Sequence, residues 1–460
     1  MSLDSIIFIS CFLPLMLALH WLVPQKGRTA VLLALSLAFY AFCGLPALLV
    51  LVLSIGVNFG LSLLLHKKWG KVFLFVGIAG NAALLGVYKY LDFLLSQLGL
   101  GQAVTGLAAP LGISFFTFKC IAFLADVYKG QVQRPRFPEF ALYVSFFPQI
   151  AMGPITRYGE FAPQLQSRSL SLEGTVRGIR RFVVGLAKRV VLSAPLGALV
   201  DGVYAAALPD ARLAWLGAVC YCLQLYFDFS GFIDMANGTA AMLGFSVREN
   251  FDHPYTAVSI GDFWRRWHMS LSAWFKDYIY IPLGGNRKGA FRAGVNKCIV
   301  FLLCGIWHGA NWTFLLWGVW HGGLSLLESL QIIPVKKLTA TRGGRVLGRA
   351  YALLAVCLGF VMFRAADVTS GFAMLGAMFT GFSFTAQATV LLHKLLTGEV
   401  LVMLVVGAAL SMPVGKTLKK LPGWERWSEP VGLVLTLLLF VLCILRLASG
   451  NFAPSIYAQF

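Results

Sequence analysis

The sequence predicts an all-α polytopic membrane protein, and three features say so. Apolar residues make up 58% of the 460 positions and charged residues only 12%, with a mean hydropathy of +0.77. That leaves too few charges to coat a soluble globule of this size. The apolar residues come in runs that approach the roughly 20 residues a spanning helix needs, enough for about 11–12 crossings. The basic residues fall in the short loops between those runs, where the positive-inside rule reads them as cytoplasmic markers.

Taken in order, the first apolar run, 6–23, has no Lys or Arg before Lys26 and no small-residue cleavage site, so it reads as a spanning helix and not a signal peptide. Lys26 and Arg28, then Lys67, Lys68 and Lys71, then Lys129, Arg134 and Arg136 mark inside loops, while 96–110 carries no charge and reads as outside. The stretches 157–189, 248–292, 336–349 and 416–426 are basic in turn, which places the N-terminus and the uncharged tail 451–460 outside. The net charge of +19 therefore reports topology and not nucleic acid, because no amphipathic face gathers it.

Two zones do not read as ordinary spans. Residues 137–154 are apolar but short and hold Pro138, Pro148 and Pro154 between basic flanks, the pattern of a segment that enters and leaves on one face. Residues 250–285 alternate aromatic and basic side chains too closely for a lipid-facing helix. The nine cysteines contain no CxxC pair, so the sequence indicates neither a disulfide framework nor a metal site. No repeat or linker divides the chain, and 1–460 reads as a single membrane-embedded domain.

Candidate chemistry concentrates in three places. Trp307-His308-Gly309 and Trp320-His321-Gly322 put two imidazoles in apolar surroundings, and an ionisable residue at membrane depth faces a cavity, a partner or a substrate path by default. A neutral imidazole keeps one acceptor nitrogen, as a general base near pH 7 requires. His308 and Trp312, four apart, would share one face of a helix that carries His321 on another, unless the intervening glycines break it. Upstream, Trp264, Arg265, Arg266, Trp267, His268 and Ser270 have the composition either of an anionic-donor site or of an interfacial belt, and a belt has no need of His268. Asp228 and Asp234 could orient an imidazole or relay protons, but pairing with basic residues that hold helices together is the simpler reading.

In chain order, 111–116 (LGISFF), 126–128 (DVY), 151–154 (AMGP), 224–231 (QLYFDFSG), 249–255 (ENFDHPY), 263–272 (FWRRWHMSLS), 280–287 (YIPLGGNR), 307–311 (WHGAN) and 363–365 (FRA) resemble the membrane-bound O-acyltransferase (MBOAT) family, and within it the alginate O-acetyltransferase branch. One dipeptide departs: Phe232-Ile233 stands where the branch has Tyr-Ser. The resemblance implies a ring of helices with re-entrant and interfacial helices around a central tunnel, and a catalytic core over 111–333. It puts His308 at the family's catalytic histidine and His268 at its second polar position. Trp264, Arg265, Arg266, Trp267, Ser270, Asn250, Asn311 and Trp312 become candidates for binding donor or substrate.

The resemblance further implies a bacterial inner-membrane enzyme with no tightly bound cofactor. Its co-substrate would be a cytoplasmic acyl thioester, acetyl-CoA or carrier-protein phosphopantetheine. The acyl group would go to a polysaccharide hydroxyl or to an extracytoplasmic SGNH-hydrolase-like partner, with His308 as general base. D-alanyl transfer to a cell-wall polymer is the alternative within the family, and a proton-coupled transporter using His308, His321, Asp228 and Asp234 is the alternative outside it. His321 is expected to be hydrogen-bonded in packed helix, away from the reacting centre.

Overall fold

The computed structural model describes residues 1–101, 105–133, 135–206, 209–420 and 422–450; Arg134 and the tail 451–460 lie outside them. Among the described residues every regular element is a helix. The chain forms two compact units, Met1–Gly185 with Phe232–Arg248, and Leu186–Gly231 with Glu249–Phe460.

The first unit holds α1 (Phe8–Leu22), α2 (Gln25–Ala41), α3 (Leu45–Ser62), α4 (Gly70–Gln97), α5 (Ile113–Tyr128), α6 (Phe137–Ser145), α7 (Phe147–Ile150) and α8 (Tyr158–Ser167). It also takes the first part of α9 (Leu172–Tyr204) and the end of α10 (Ala211–Met242). Polar ties and close glycine contacts fix the register of apolar helices. Asn81 donates to Asn58 across 2.7 Å, joining α3 to α4. Arg181 pairs with Asp234 at 2.9 Å, and Gly178 and Gly238 meet where a Cβ on either would lie 2.6 Å from the other's carbonyl oxygen.

The proline-rich zone breaks at Phe146, whose ψ of 104° separates α6 from α7. Its polar groups are covered by protein, as membrane depth demands. Lys119 on α5 donates to the Tyr143 carbonyl at 3.1 Å and to Gln149 Oε1 at 3.2 Å, and Gln149 donates on to Thr156 Oγ1 at 2.9 Å. Gly112, at φ +70°, starts α5 so close to Ile150 that a Cβ would stand 1.8 Å from its carbonyl oxygen.

The second unit continues α9 and α10 and adds α11 (Ile260–Arg266), α12 (Met269–Phe275), α13 (Gly289–His308), α14 (Trp312–Ser329), α15 (Arg342–Arg364), α16 (Val368–Thr380), α17 (Ala386–Leu395), α18 (Gly398–Leu410) and α19 (Arg426–Ala448). Its α13 and α14 form a tight antiparallel hairpin. A Cβ on Gly305 would lie 2.4 Å from the Phe314 carbonyl oxygen, one on Gly318 2.6 Å from that of Phe301, and one on Gly322 3.1 Å from Cys298 Cα. Only glycine allows backbones this close along a helix pair.

Among the described residues seven helices, α3, α4, α9, α10, α13, α15 and α19, are long and apolar enough to cross a membrane, and α17 with α18, bent by 69°, would make an eighth. The count falls below the 11–12 read from apolar runs because some runs break or stop short. α1 and α16 are apolar but shorter than a span, and the zone 250–285 contains only short helical pieces.

Candidate active site

His308 is the last residue of α13. Gly309 follows with fully extended backbone (φ 171°, ψ 171°), and Asn311 caps α14, its side chain accepting from the Thr313 N–H at 3.0 Å. The expectation of one helix carrying His308, Trp312 and His321 is therefore corrected: the chain turns between the first two, and Trp312 opens α14 half-exposed. Asn311 Nδ2 donates to the Ala366 carbonyl at 2.8 Å, which ties the turn to the segment after α15. His308 thus sits at the tip of a hairpin whose depth is set by Gly305 and Gly318.

The His308 ring is buried in an aromatic cage. Edge contacts come from Phe363 (4.9 Å between centroids), Trp307 (5.1 Å) and Trp317 (5.3 Å), with Phe314 at 6.2 Å. His268 also neighbours Trp307, at 6.2 Å between centroids, and meets Phe229 edge-on at 4.7 Å.

His268 precedes α12 in the left-handed conformation (φ 47°), a strained choice for a residue with a Cβ. Asn250 holds it there. The Asn250 Oδ1 accepts from the Ser270 N–H at 2.8 Å, which fixes the amide's orientation, and its carbonyl accepts from the Met269 N–H at 3.0 Å. Its Nδ2 then lies 3.3 Å from His268 Nδ1. Because that amide nitrogen is a donor, Nδ1 must accept, and the proton of a neutral imidazole sits on Nε2. Burial presses the His268 pKa from 6.5 down to about 3, so the ring is neutral at physiological pH. Its Nε2 is buried and has no protein partner. In this tautomer the ring's one N–H is on Nε2, and Nδ1 is taken by Asn250.

Of the other candidates, Trp267 is core: buried, stacked on Phe263 at 5.4 Å and edge-on to Phe251 at 5.1 Å. Arg265 and Arg266 both pair with Asp262 at 3.2 Å, and Arg266 also reaches Asp252 at 3.5 Å. Trp264 donates from Nε1 to His321 Nδ1 at 3.4 Å. His321 is fully buried, its Nε2 turned toward Gly359, where a Cβ would lie 2.7 Å away. It is hydrogen-bonded in packed helix as expected. It is less remote than expected, since Trp317 touches both His321 (5.0 Å) and His308 (5.3 Å). Asp228 pairs with Arg189 at 3.0 Å with both side chains buried, so both carboxylates of that motif serve ion pairs.

One residue escaped the sequence reading. Glu328, seven residues along α14 from His321, accepts from the N–H groups of Ile260 (2.6 Å) and Gly261 (3.0 Å) and from the Tyr351 hydroxyl (3.2 Å). It clamps the start of α11, whose other end leads into His268. Its signal was available: a lone carboxylate in an apolar helix, two turns after a buried histidine.

Two buried imidazoles thus pack on one indole within an apolar, helical protein. The chain belongs to the MBOAT, membrane-bound O-acyltransferase, family, whose pattern matches residues 87–366. It is 35% identical to a probable alginate O-acetylase of Azotobacter vinelandii over the whole of both chains. It is 36% identical to a peptidoglycan O-acetyltransferase of Helicobacter pylori over 67% of this chain and 66% of that one. A teichoic acid D-alanyltransferase of Streptococcus thermophilus is 30% identical over 44% of this chain and 52% of its own. The protein is thus a multi-pass membrane acyltransferase.

Proposed function

We propose that the protein moves an acetyl group from a cytoplasmic thioester to an extracytoplasmic hydroxyl, with His308 as general base and His268 as donor to the developing oxyanion. In this reading a ring nitrogen of His308 takes the acceptor's O–H proton as the oxygen adds to the thioester carbonyl. The tetrahedral intermediate carries its negative charge toward His268 Nε2–H. Collapse releases the thiolate, which recovers the proton from His308, so no proton is gained or lost.

The observation that carries the reading is the unpartnered Nε2 of His268, buried beside the indole that also packs on His308. A preorganised donor in a dry site is worth roughly 2.7 to 4 kcal/mol in such reactions. His308 lies at a helix C-terminus, where the backbone carbonyls favour the positive charge it acquires. The side-chain setting also argues against a proton-coupled transporter, since Asp228 and Asp234 are both engaged in ion pairs.

The acceptor is proposed to be a polysaccharide, directly or through an SGNH-hydrolase-like partner outside, in a bacterial inner membrane with the N-terminus outside. Full-length similarity to an alginate O-acetylase supports acetyl over D-alanyl. The test uses inside-out membrane vesicles given acetyl-CoA, an acetylated carrier protein or a D-alanylated one, each labelled in the acyl group. Label passing from an acetyl donor to luminal polymer or partner supports the reading, and label passing only from the D-alanyl carrier replaces it.

A further inference from the structure

We propose that His20, Arg28 and Arg168 form a binding site for a phosphate group. These residues belong to the first unit, and none takes part in the site around His308.

Arg168 follows α8 and is buried, with its guanidinium 4.7 Å over the Phe245 ring. Its Nε and Nη1 are enclosed and make no hydrogen bond. The charge that faces it is Arg28, which is also positive; burial and that neighbour lower the Arg168 pKa to about 10, and it stays a cation at neutral pH. His20, in the last turn of α1, is fully buried. The Leu243 backbone lies beside it, yet neither ring nitrogen makes a hydrogen bond of proper geometry, and the charges facing it are again Arg168 and Arg28. Arg28, half-buried at the start of α2, donates from Nε to the Val23 carbonyl at 3.1 Å, which leaves its two Nη groups for another acceptor.

Two guanidinium groups and an imidazole thus lie near one another, and the charges that His20 and Arg168 face are cations. Buried cations are otherwise paired or hydrogen-bonded, and here the buried polar edges of Arg168 and His20 are left without a partner. The planar fork of Arg168 suits two phosphate oxygens at once, and Arg28 supplies a second fork at the surface edge. His20 adds a single N–H, or a lone pair toward a protonated phosphate. The basic loops 24–28 and 157–189 put the cluster on the side read as cytoplasmic. Two sources of the same chemistry are available there: the headgroup of an anionic phospholipid, and the phosphate of a soluble ligand.

The full-length protein, delipidated in a maltoside detergent, is titrated with phosphatidylglycerol, with inorganic phosphate and with diacylglycerol while its Tm is followed. The expected result is a saturable rise in Tm with a phosphate-bearing ligand and none with diacylglycerol. Arg168→Gln should weaken that binding at least about tenfold. A response to phosphatidylglycerol alone assigns a lipid headgroup, and a response to inorganic phosphate assigns a soluble source. If Arg168→Gln does not fold, the same titration of Arg168→Lys and His20→Gln replaces it, with binding weakened in both. No saturable response of the wild type to either ligand overturns the proposal, as does a folded Arg168→Gln protein that responds like wild type.

Discussion

Asn250 donates to His268 Nδ1 across 3.3 Å while its own Oδ1 is held by the Ser270 N–H at 2.8 Å. One amide therefore sets both the tautomer of the imidazole and the start of the helix that carries it. Asn250→Ala should lower the acyl-transfer rate about tenfold, the scale of one lost hydrogen bond to a positioned group. Asn250→Asp should do more harm, because a carboxylate accepts from Nδ1–H and so turns Nε2 from donor to acceptor. Rates in membrane preparations at matched protein level check the order. Higher activity in the Asn250→Asp protein than in the Asn250→Ala protein would rule out the tautomer assignment.

Holding His268 neutral makes stability depend on pH. A group with ordinary pKa 6.5 held at about 3 in the fold binds its proton more readily when unfolded. Its contribution is present in full above about pH 6.5 and is lost progressively as pH falls toward 3. The Tm of the detergent-solubilised protein should fall through that window, and His268→Asn, which cannot titrate, should flatten the fall. Identical Tm-against-pH curves for the two proteins would show that His268 is not held neutral by burial.

The buried Arg189–Asp228 pair should behave as structure. Removing one partner strands the other charge, at a cost of about 3–5 kcal/mol. Asp228→Ala and Arg189→Ala should each cut the yield of monodisperse protein and lower its Tm, whereas replacing both with apolar residues of similar size should recover much of the loss. Full stability with abolished proton movement in Asp228→Ala vesicles would instead favour the relay reading.

Glycines at the α13–α14 contact determine where His308 ends up. Gly318→Ala places a Cβ 2.6 Å from the Phe301 carbonyl oxygen, so the helices must separate. Overpacking of this kind costs about 1–3 kcal/mol. The rate should drop even in protein that remains folded, because the hairpin tip shifts with the helices. Gly323→Ala, further along the same helix and facing open space, should be silent in the same assay.

The helical class was legible because composition and loop charge report the solvent directly. Motif order singled out His308 and His268, and the ion-pair role of Asp228 and Asp234 was legible through the cost of leaving carboxylates unpaired in apolar surroundings. The glycines between His308 and His321 allowed a break, but not its place, since Gly309 is as compatible with a continuing helix as with extended backbone until α14 packs against α13. Glu328 could be noticed as a lone carboxylate in an apolar helix, but not its partners, since two of the three are backbone N–H groups of α11 that no side-chain pattern reveals. Asn250 could be named from its motif, but its hold on His268 depends on the left-handed turn at that histidine.

The proposed reaction turns on His308 removing the acceptor's proton. That step is tested by the acyl-transfer rate of His308→Ala against wild type in membranes supplied with labelled acetyl thioester, with abundance and Tm matched. The expected result is a loss of about 10²- to 10⁴-fold with the fold retained. Equal transfer by the two proteins would refute the assignment of His308 and with it the mechanism built around the pair.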